Sequence, residues 1–304
     1  MPSMRLLSCC AMLLVPVSAR GQGFVATMIA ANSADSAGRH LDAARLYQQA
    51  YRLSGFDPTG LAIAAESATQ GGDAELAFSL LDRAVAGGVL EPRLFADSAF
   101  VALHRDPRWA RLQADVARRT ARLDLPLRTE LLQLADRDQR NRQGLAAIMQ
   151  RYGSRSSQGD SALKALTAAD APIQARLRQI IVQHGWPVRT MVADDGAHAA
   201  WLVLQHMPLA DQAAQLPGVL AAVKGNNARA GDGALLEDRV LVGTHHPQRY
   251  GTQMASSAHG GPPTVDSIEN EACVDARRKT VGLEPLAEYL KGFGVTYVVK
   301  GRCA

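Results

Sequence analysis

The chain has 304 residues, of which 47% are hydrophobic, 20% charged and 5% aromatic, and its formal net charge is +4. That length holds one large or two ordinary domains, and the balance is that of a folded chain rather than a disordered one. Few aromatics leave a core of Ala, Leu and Val, which favours helices, and the arginines from Arg105 to Arg142 are interleaved with Asp106, Asp115, Asp124, Glu130, Asp136 and Asp138, a mixed solvated surface that argues against a nucleic-acid partner.

The N-terminus reads as an export signal over residues 1–19. Arg5 precedes the apolar run Leu6 to Val17, and Val17-Ser18-Ala19 offers small residues at the positions a signal peptidase reads. The run is too short to remain as a membrane span, and it lacks the period of an amphipathic helix. A lipoprotein signal would need more than Leu6 and Leu7 before Ser8-Cys9. The expectation is a periplasmic or secreted protein with no membrane span after cleavage. Losing Arg5 lowers the formal charge from +4 to +3. Cys9 and Cys10 leave with the signal, so Cys273 and Cys303 are expected to form one disulfide that pins the tail GVTYVVKGRCA.

Next comes an echo. AGRHLDAARLYQQAY, Ala37 to Tyr51, aligns with GGDAELAFSLLDRAV, Gly71 to Val85, at an offset of 34. Gly38 meets Gly72, Ala43 meets Ala77, Leu46 meets Leu80, Tyr47 meets Leu81, and Ala50 meets Ala84. A turn glycine, a small residue where helices cross and large apolar residues just beyond are what stacked helical hairpins need. On these positions residues 23–88 resemble the tetratricopeptide repeat family, with a degenerate continuation through Leu94 to Leu112; the family's Trp and Tyr positions in its first helix are not kept. The resemblance implies a TPR-like helical region over 23–122 and a groove for a peptide or protein partner, although such repeats can also serve only as a brace.

From 126 to 304 the pattern changes to a mostly helical domain with at most a small β element. Leu127, Leu131, Leu134, Leu145 and Met149 form one apolar stripe, with Asp138 and Arg142 spaced for an ion pair. DAPIQARLRQIIVQHGWP reads as a helix capped by Asp170, with Pro172 in its first turn, closed by Gly185 and Pro187, and followed by Trp186 in the core. DDGAHAAWLVLQHMPLA reads as a helix capped by Asp194 or Asp195, with Ala200, Trp201, Leu204 and Met207 inward and Gln205 and His206 beside them. Polar groups there need partners. HHPQRYGTQ, His245 to Gln253, has no aliphatic residue and reads as a ligand-facing loop.

The ordered series Asp138-Gln139 with Arg142, Gly185-Trp186-Pro187, Gln205-His206, Asp238-Arg239-Val240, Tyr250-Gly251-Thr252-Gln253, Arg277-Arg278 and Gly282-Leu283 resembles an uncharacterised bacterial domain-of-unknown-function family across about residues 126–290. Ala193 departs from that pattern, where glycine is expected. The resemblance implies a mostly helical domain with a polar signature and brings no activity.

Two readings follow. In the first, the domain binds a small polar ligand or peptide through Gln139, Arg142, Gln205, Arg239, Tyr250, Thr252 and Gln253. In the alternative it is a hydrolase with His206 as general acid/base oriented by Asp138 or Asp238, since imidazole titrates near neutrality. Both expect Asp138, His206, Asp238 and Gln253 to converge. No cofactor is expected, because phosphate-loop and dinucleotide fingerprints are lacking. No metal is expected either: the histidines lack ligand spacing, and His198 and His206 stand about 80° apart around a helix.

Overall fold

A computed structural model describes residues 18–53, 58–90, 98–153, 156–255 and 263–303, apart from the side chains of 18–23 and 25. The signal expected over 1–19 lies outside these residues up to position 17. Among the described residues the chain is mainly α, 73% helical, with one two-stranded sheet.

Helices α1 (Ser18–Ser36), α2 (His40–Leu53), α3 (Thr59–Gln70) and α4 (Ala74–Ala86) pack each on the next. The α1–α2 and α3–α4 turns are built alike. Gly38 and Gly72 adopt φ of 73° and 79°, and the amides on either side close on the last helical turn: Gly38 N and Arg39 N donate to Asp35 O and Ala34 O, while Gly72 N and Asp73 N donate to Thr69 O and Ala68 O. This is the Schellman ending, which needs a left-handed residue and therefore favours glycine. Ala31, Ala34 and Ala43 and their counterparts Ala65, Ala68 and Ala77 are all buried, so helix axes approach closely at both places. A 3-10 turn (Ser98–Leu103) covers α3, and α5 (Pro107–Thr120), capped by Asp106, packs on α4. Phe100 and Trp109, with ring centroids 5.7 Å apart, close that core.

The second half starts with two 28-residue helices, α6 (Leu125–Tyr152) and α7 (Ser157–His184). Asp124 caps α6 by accepting from Leu127 N. α6 packs on both α7 and α8 (Arg189–Leu204), and α9 (Leu209–Lys224) on α10 (Ala230–Gly243). Leu131, Leu134, Leu177, Ile180, Ala200, Leu204 and Leu236 fill the interior. The cap expected at Asp170 is not where a helix begins. α7 starts at Ser157, capped by Ser156, and runs through Pro172. A proline removes one helical donor and crowds the preceding turn, but the buried residues Leu166, Asp170, Ile173, Leu177 and Ile180 form one stripe spanning it, and burial of that stripe outweighs the local penalty. Gly185, at φ 75°, ends α7 as the sequence implies, its amide donating to Ile181 O.

α8 is broken near its start. Val192 and Ala193 have non-helical angles, with Ala193 at φ 59° and ψ 178°, a region that is essentially glycine's own. The expected glycine position is thus the one where the backbone turns. Of the two residues expected as the cap, Asp195 accepts from the adjacent Gly196 N and from Arg128, while Asp194 takes Arg189 and Arg229. Ala200, Trp201, Leu204 and Met207 face inward as their spacing implies.

After α10 the chain forms β1 (Met254–Ala255), antiparallel to β2 (Thr264–Val265) with Met254 opposite Val265, then a 3-10 turn (Glu271–Cys273), α11 (Val274–Thr280) and α12 (Leu286–Lys291), which touches α1. Met254, Val274, Leu286, Tyr289 and Leu290 make a small core of their own. Cys273 and Cys303 are disulfide-bonded, with Cα atoms 4.6 Å apart. Glu271 accepts from Tyr297 Oη and Lys300 N, so the tail is held against this turn. Among the described residues no helix is long and apolar enough to cross a membrane.

Candidate functional site

The polar signature residues sort into two hydrogen-bonded sets. The first lies where α6, α7 and the end of α8 meet. Asp138 and Arg142 are one turn apart on α6, so both side chains leave the same face. Asp138 is 2% exposed, yet its carboxylate is well supplied: Gln139 Nε2 donates to Oδ2 at 2.9 Å, Arg142 Nη2 donates to Oδ1 at 2.9 Å, and His206 Nδ1 lies 2.8 Å from Oδ2. Arg142 Nη2 also donates to Asp170 Oδ2 at 2.8 Å, which explains why Asp170 sits inside α7 facing the core. The α8 end that carries His206 is fixed from below by Gln174, which donates to His206 O, and by Gln212, which donates to Gln205 O and Met207 O. Arg239 Nη1 donates to Gln205 O at 2.9 Å.

His206 Nδ1 has two neighbours with opposite demands. Arg142 Nε donates toward it at 2.6 Å, whereas Asp138 Oδ2 requires a donor from it. A proton on Nδ1 satisfies Asp138 and leaves the Nε2 lone pair as a base; a bare Nδ1 accepts from Arg142 and makes Nε2–H a donor. Nε2 has no hydrogen-bond partner among the described residues, and the side chain keeps 12% of its surface exposed. Burial pushes the imidazole below the ordinary histidine pKa, Asp138 pulls it up, and Arg142 and Arg239 push it further down. At pH 7 the ring is therefore neutral. Burial raises Asp170 while Arg142 opposes the rise. Two atoms of the cluster, Arg142 Nη1 and Asp170 Oδ1, are buried without a partner among the described residues.

The second set anchors the 248–253 loop. Asp238, fully buried on α10, accepts from Arg249 N (2.7 Å), Tyr250 N (3.0 Å), Thr252 N (2.9 Å) and Thr252 Oγ1 (2.9 Å). Burial pushes its carboxyl up and these four donors pull it down. Gln253 Nε2 donates to Thr252 Oγ1, and Gln248 ties the loop to Gln253 and Asp266. Gly251 has φ 69°, and a Cβ there would come within 2.8 Å of Leu286. Arg278, fully buried, donates to Tyr250 O and Glu284 O and lies 4.7 Å from the Tyr289 ring; burial lowers its pKa to about 10. His245, His246 and Pro247 of the loop are exposed, whereas Gln248, Gly251, Thr252 and Gln253 are buried.

Asp138, Gln139, Arg142, His206, Gln205 and Arg239 are thus brought together, and Asp238, Tyr250, Thr252 and Gln253 belong to the other set; Asp138, not Asp238, faces the imidazole. Gln174 and Gln212 carry no signal in the sequence, and the parts that Asp170, Gln248 and Arg278 play in these sets differ from, or go beyond, what their motifs imply. Asp170 stands just before a proline, a pattern that reads as a cap, while Gln248 and Arg278 belong to the quoted loop and to the signature series. A second His–Asp pair, half-buried, also emerges: His198 Nδ1 lies 2.7 Å from Asp232 Oδ2, with the ring stacked on Trp201. Among the described residues no group of three or more His, Cys, Asp or Glu side chains is placed to hold a metal ion.

Both sets fall in a segment that the model of a family of unknown function, DUF6624, matches over residues 125–302, more than half of the chain. The chain belongs to the DUF6624 family. No curated protein and no solved structure matches it. The DUF6624 segment starts at α6 and runs to the last residues before the disulfide-bonded Cys303, so both charge clusters and the wired loop lie inside it.

Proposed function

We propose that the domain over 126–304 binds a small polar ligand or peptide at the Asp138–Arg142–His206 cluster, and that the helices over 23–122 are TPR-like hairpins that hold a protein or peptide partner. The observation that carries the first part is the incompleteness of an otherwise tightly wired cluster. Among the described residues, Arg142 Nη1 and Asp170 Oδ1 are buried and unpaired, next to a histidine whose Nε2 is unengaged. A buried donor or acceptor without a partner is costly, so a charged cluster that leaves both is better matched by a guest that supplies the missing bonds. Gln139, Gln205 and Arg239 stand beside it as further polar contacts, while Tyr250, Thr252 and Gln253 shape the domain around it. The repeat reading is supported by the matching turns at Gly38 and Gly72 and by the paired buried alanines. Export to the periplasm or beyond is supported by the leader pattern and by the disulfide.

The Asp138–His206 bond favours a second reading, hydrolysis with His206 as general base: a carboxylate on Nδ1 orients the ring and leaves Nε2 to take a proton from water. No cofactor enters either reading. The test is a thermal-stability screen of small polar metabolites and peptidoglycan fragments against the wild-type chain and His206→Gln. The expected result is a ligand that stabilises the wild type and loses most of that effect in the variant. Equal stabilisation of both proteins by every hit would remove the cluster as the site. Turnover of the hit by wild type and not by His206→Gln would select hydrolysis over binding.

A further inference from the structure

A cleft of about 520 Å³ separates the first half of the chain from the second. One wall is α5 with the end of α4, and the other is the start of α8 with the turn after α9. The floor is where the two halves touch. Gly88, at φ 95°, lies so close that a Cβ there would stand 2.8 Å from Arg189 Cγ and 3.0 Å from Asp194 N. Arg189 itself is 7% exposed and held at both ends of its guanidinium, which binds Asp194 Oδ1 twice and Asn226 O. The opposite wall carries Arg118, Arg119 and Arg122. Arg118 and Arg119 share the single carboxylate of Asp115, and Arg122 has no ion-pair or hydrogen-bond partner for its exposed guanidinium among the described residues. Three guanidinium groups against one carboxylate leave that wall two positive charges in excess. Beside them lie Val85, Leu90 and Leu123, an apolar lining that the charges do not explain.

We propose that this cleft binds an organic anion, with a carboxylate or phosphate head between Arg122 and Arg118 and an apolar body against Val85, Leu90 and Leu123. Guanidinium groups match planar or tetrahedral oxyanions in two-point contacts, and a concave wall with an excess of one charge concentrates ligands of the opposite sign. The apolar side removes a hydrocarbon body from water, which a wholly ionic groove would not do. Because the two walls belong to different halves of the chain, the anion would also hold those halves together. This site is separate from the Arg142–His206 cluster.

The test uses the full chain and two probes, N-acetyl-leucine and phenyl phosphate, each paired with an uncharged counterpart, N-acetyl-leucinamide and phenol. Calorimetric titration at low salt is expected to show saturable binding of at least one anion and of neither neutral partner, with the stronger anion separating a carboxylate from a phosphate source. Arg122→Glu should weaken that binding at least tenfold, whereas Arg140→Glu, an exposed arginine on α6, and His206→Gln should leave it unchanged. The proposal is overturned by absence of saturable binding for both anions, by equal binding of the neutral partners, by unchanged affinity in Arg122→Glu, or by loss of binding in His206→Gln.

Discussion

The imidazole of His206 and the carboxylate of Asp138 meet across 2.8 Å although 68 positions separate them along the chain. Neither residue reaches the other through local structure. Asp138 stands mid-way along α6, His206 follows the last turn of α8, and the packing of α6 on α8 brings them together. Arg142 then makes the pair a cluster, holding Asp138, Asp170 and the imidazole from one guanidinium.

Asp138 and His206 should respond very differently to mutation. Asp138→Ala leaves the Arg142 charge buried with only Asp170 to balance it, and is expected to destabilise the domain by about 3–5 kcal/mol. His206→Gln retains a hydrogen-bonding side chain of similar reach and should lose about 1 kcal/mol. Urea unfolding of the two variants checks the difference, and equal losses would contradict the picture of Asp138 as the hub.

The lowered pKa of His206 makes stability pH-dependent in a definite direction. The unfolded chain binds a proton near pH 6.5 and the folded one only at lower pH, so the unfolded state holds more protons in between. The contribution is fully present above pH 6.5 and is lost as pH falls toward the folded pKa. Wild type should therefore lose stability relative to His206→Gln as pH falls below about 6.5, by at most about 1.4 kcal/mol per pH unit for one proton. Urea midpoints of both proteins at pH 7.5, 6 and 5 measure it; parallel curves would refute the assignment.

Ala193→Gly should stabilise the protein. Glycine usually weakens a helix, but here the native angles are φ 59° and ψ 178°, where a side chain is strained by roughly 1–3 kcal/mol. After the entropy that glycine adds to the unfolded chain, a gain of about 1 kcal/mol is expected. A lower urea midpoint in the variant would show that Ala193 does not hold this conformation.

Asp238→Ala should release the loop it ties. Four donors, three of them backbone amides, lose their acceptor together. The expected loss is roughly 3–5 kcal/mol. Faster hydrogen exchange at Arg249, Tyr250 and Thr252 than elsewhere in the domain is its signature, and unchanged exchange there would mean the loop is held by other contacts.

Breaking the Cys273–Cys303 bond, which closes a separation of 30 residues, should lower stability by about 3–4 kcal/mol on the chain-entropy account. Urea unfolding with and without reductant reads the difference. Peptide mapping of the unreduced protein should yield one fragment containing both cysteines, and two separate thiol peptides would disprove the bond.

What the sequence determined by itself was everything carried by local spacing and backbone preference. Period and composition specified a mainly helical chain, Gly38 and Gly72 marked two turns of one kind, Gly185 marked the end of α7, and the stripe from Ala200 to Met207 marked a buried face. The two cysteines of the C-terminal part implied their own bond. Tertiary packing decided the rest. Asp170 and Pro172 follow local rules for a helix start, yet a stripe of buried residues running through them carries the helix on. Asp138 and Asp238 look alike along the chain, and only the folded structure assigns one to an imidazole and the other to three backbone amides and a hydroxyl. The physical reason is that hydrogen bonds between distant polar groups have no period: they form wherever burial of apolar surface happens to bring donors and acceptors within reach, and that is a property of the packed chain rather than of any segment.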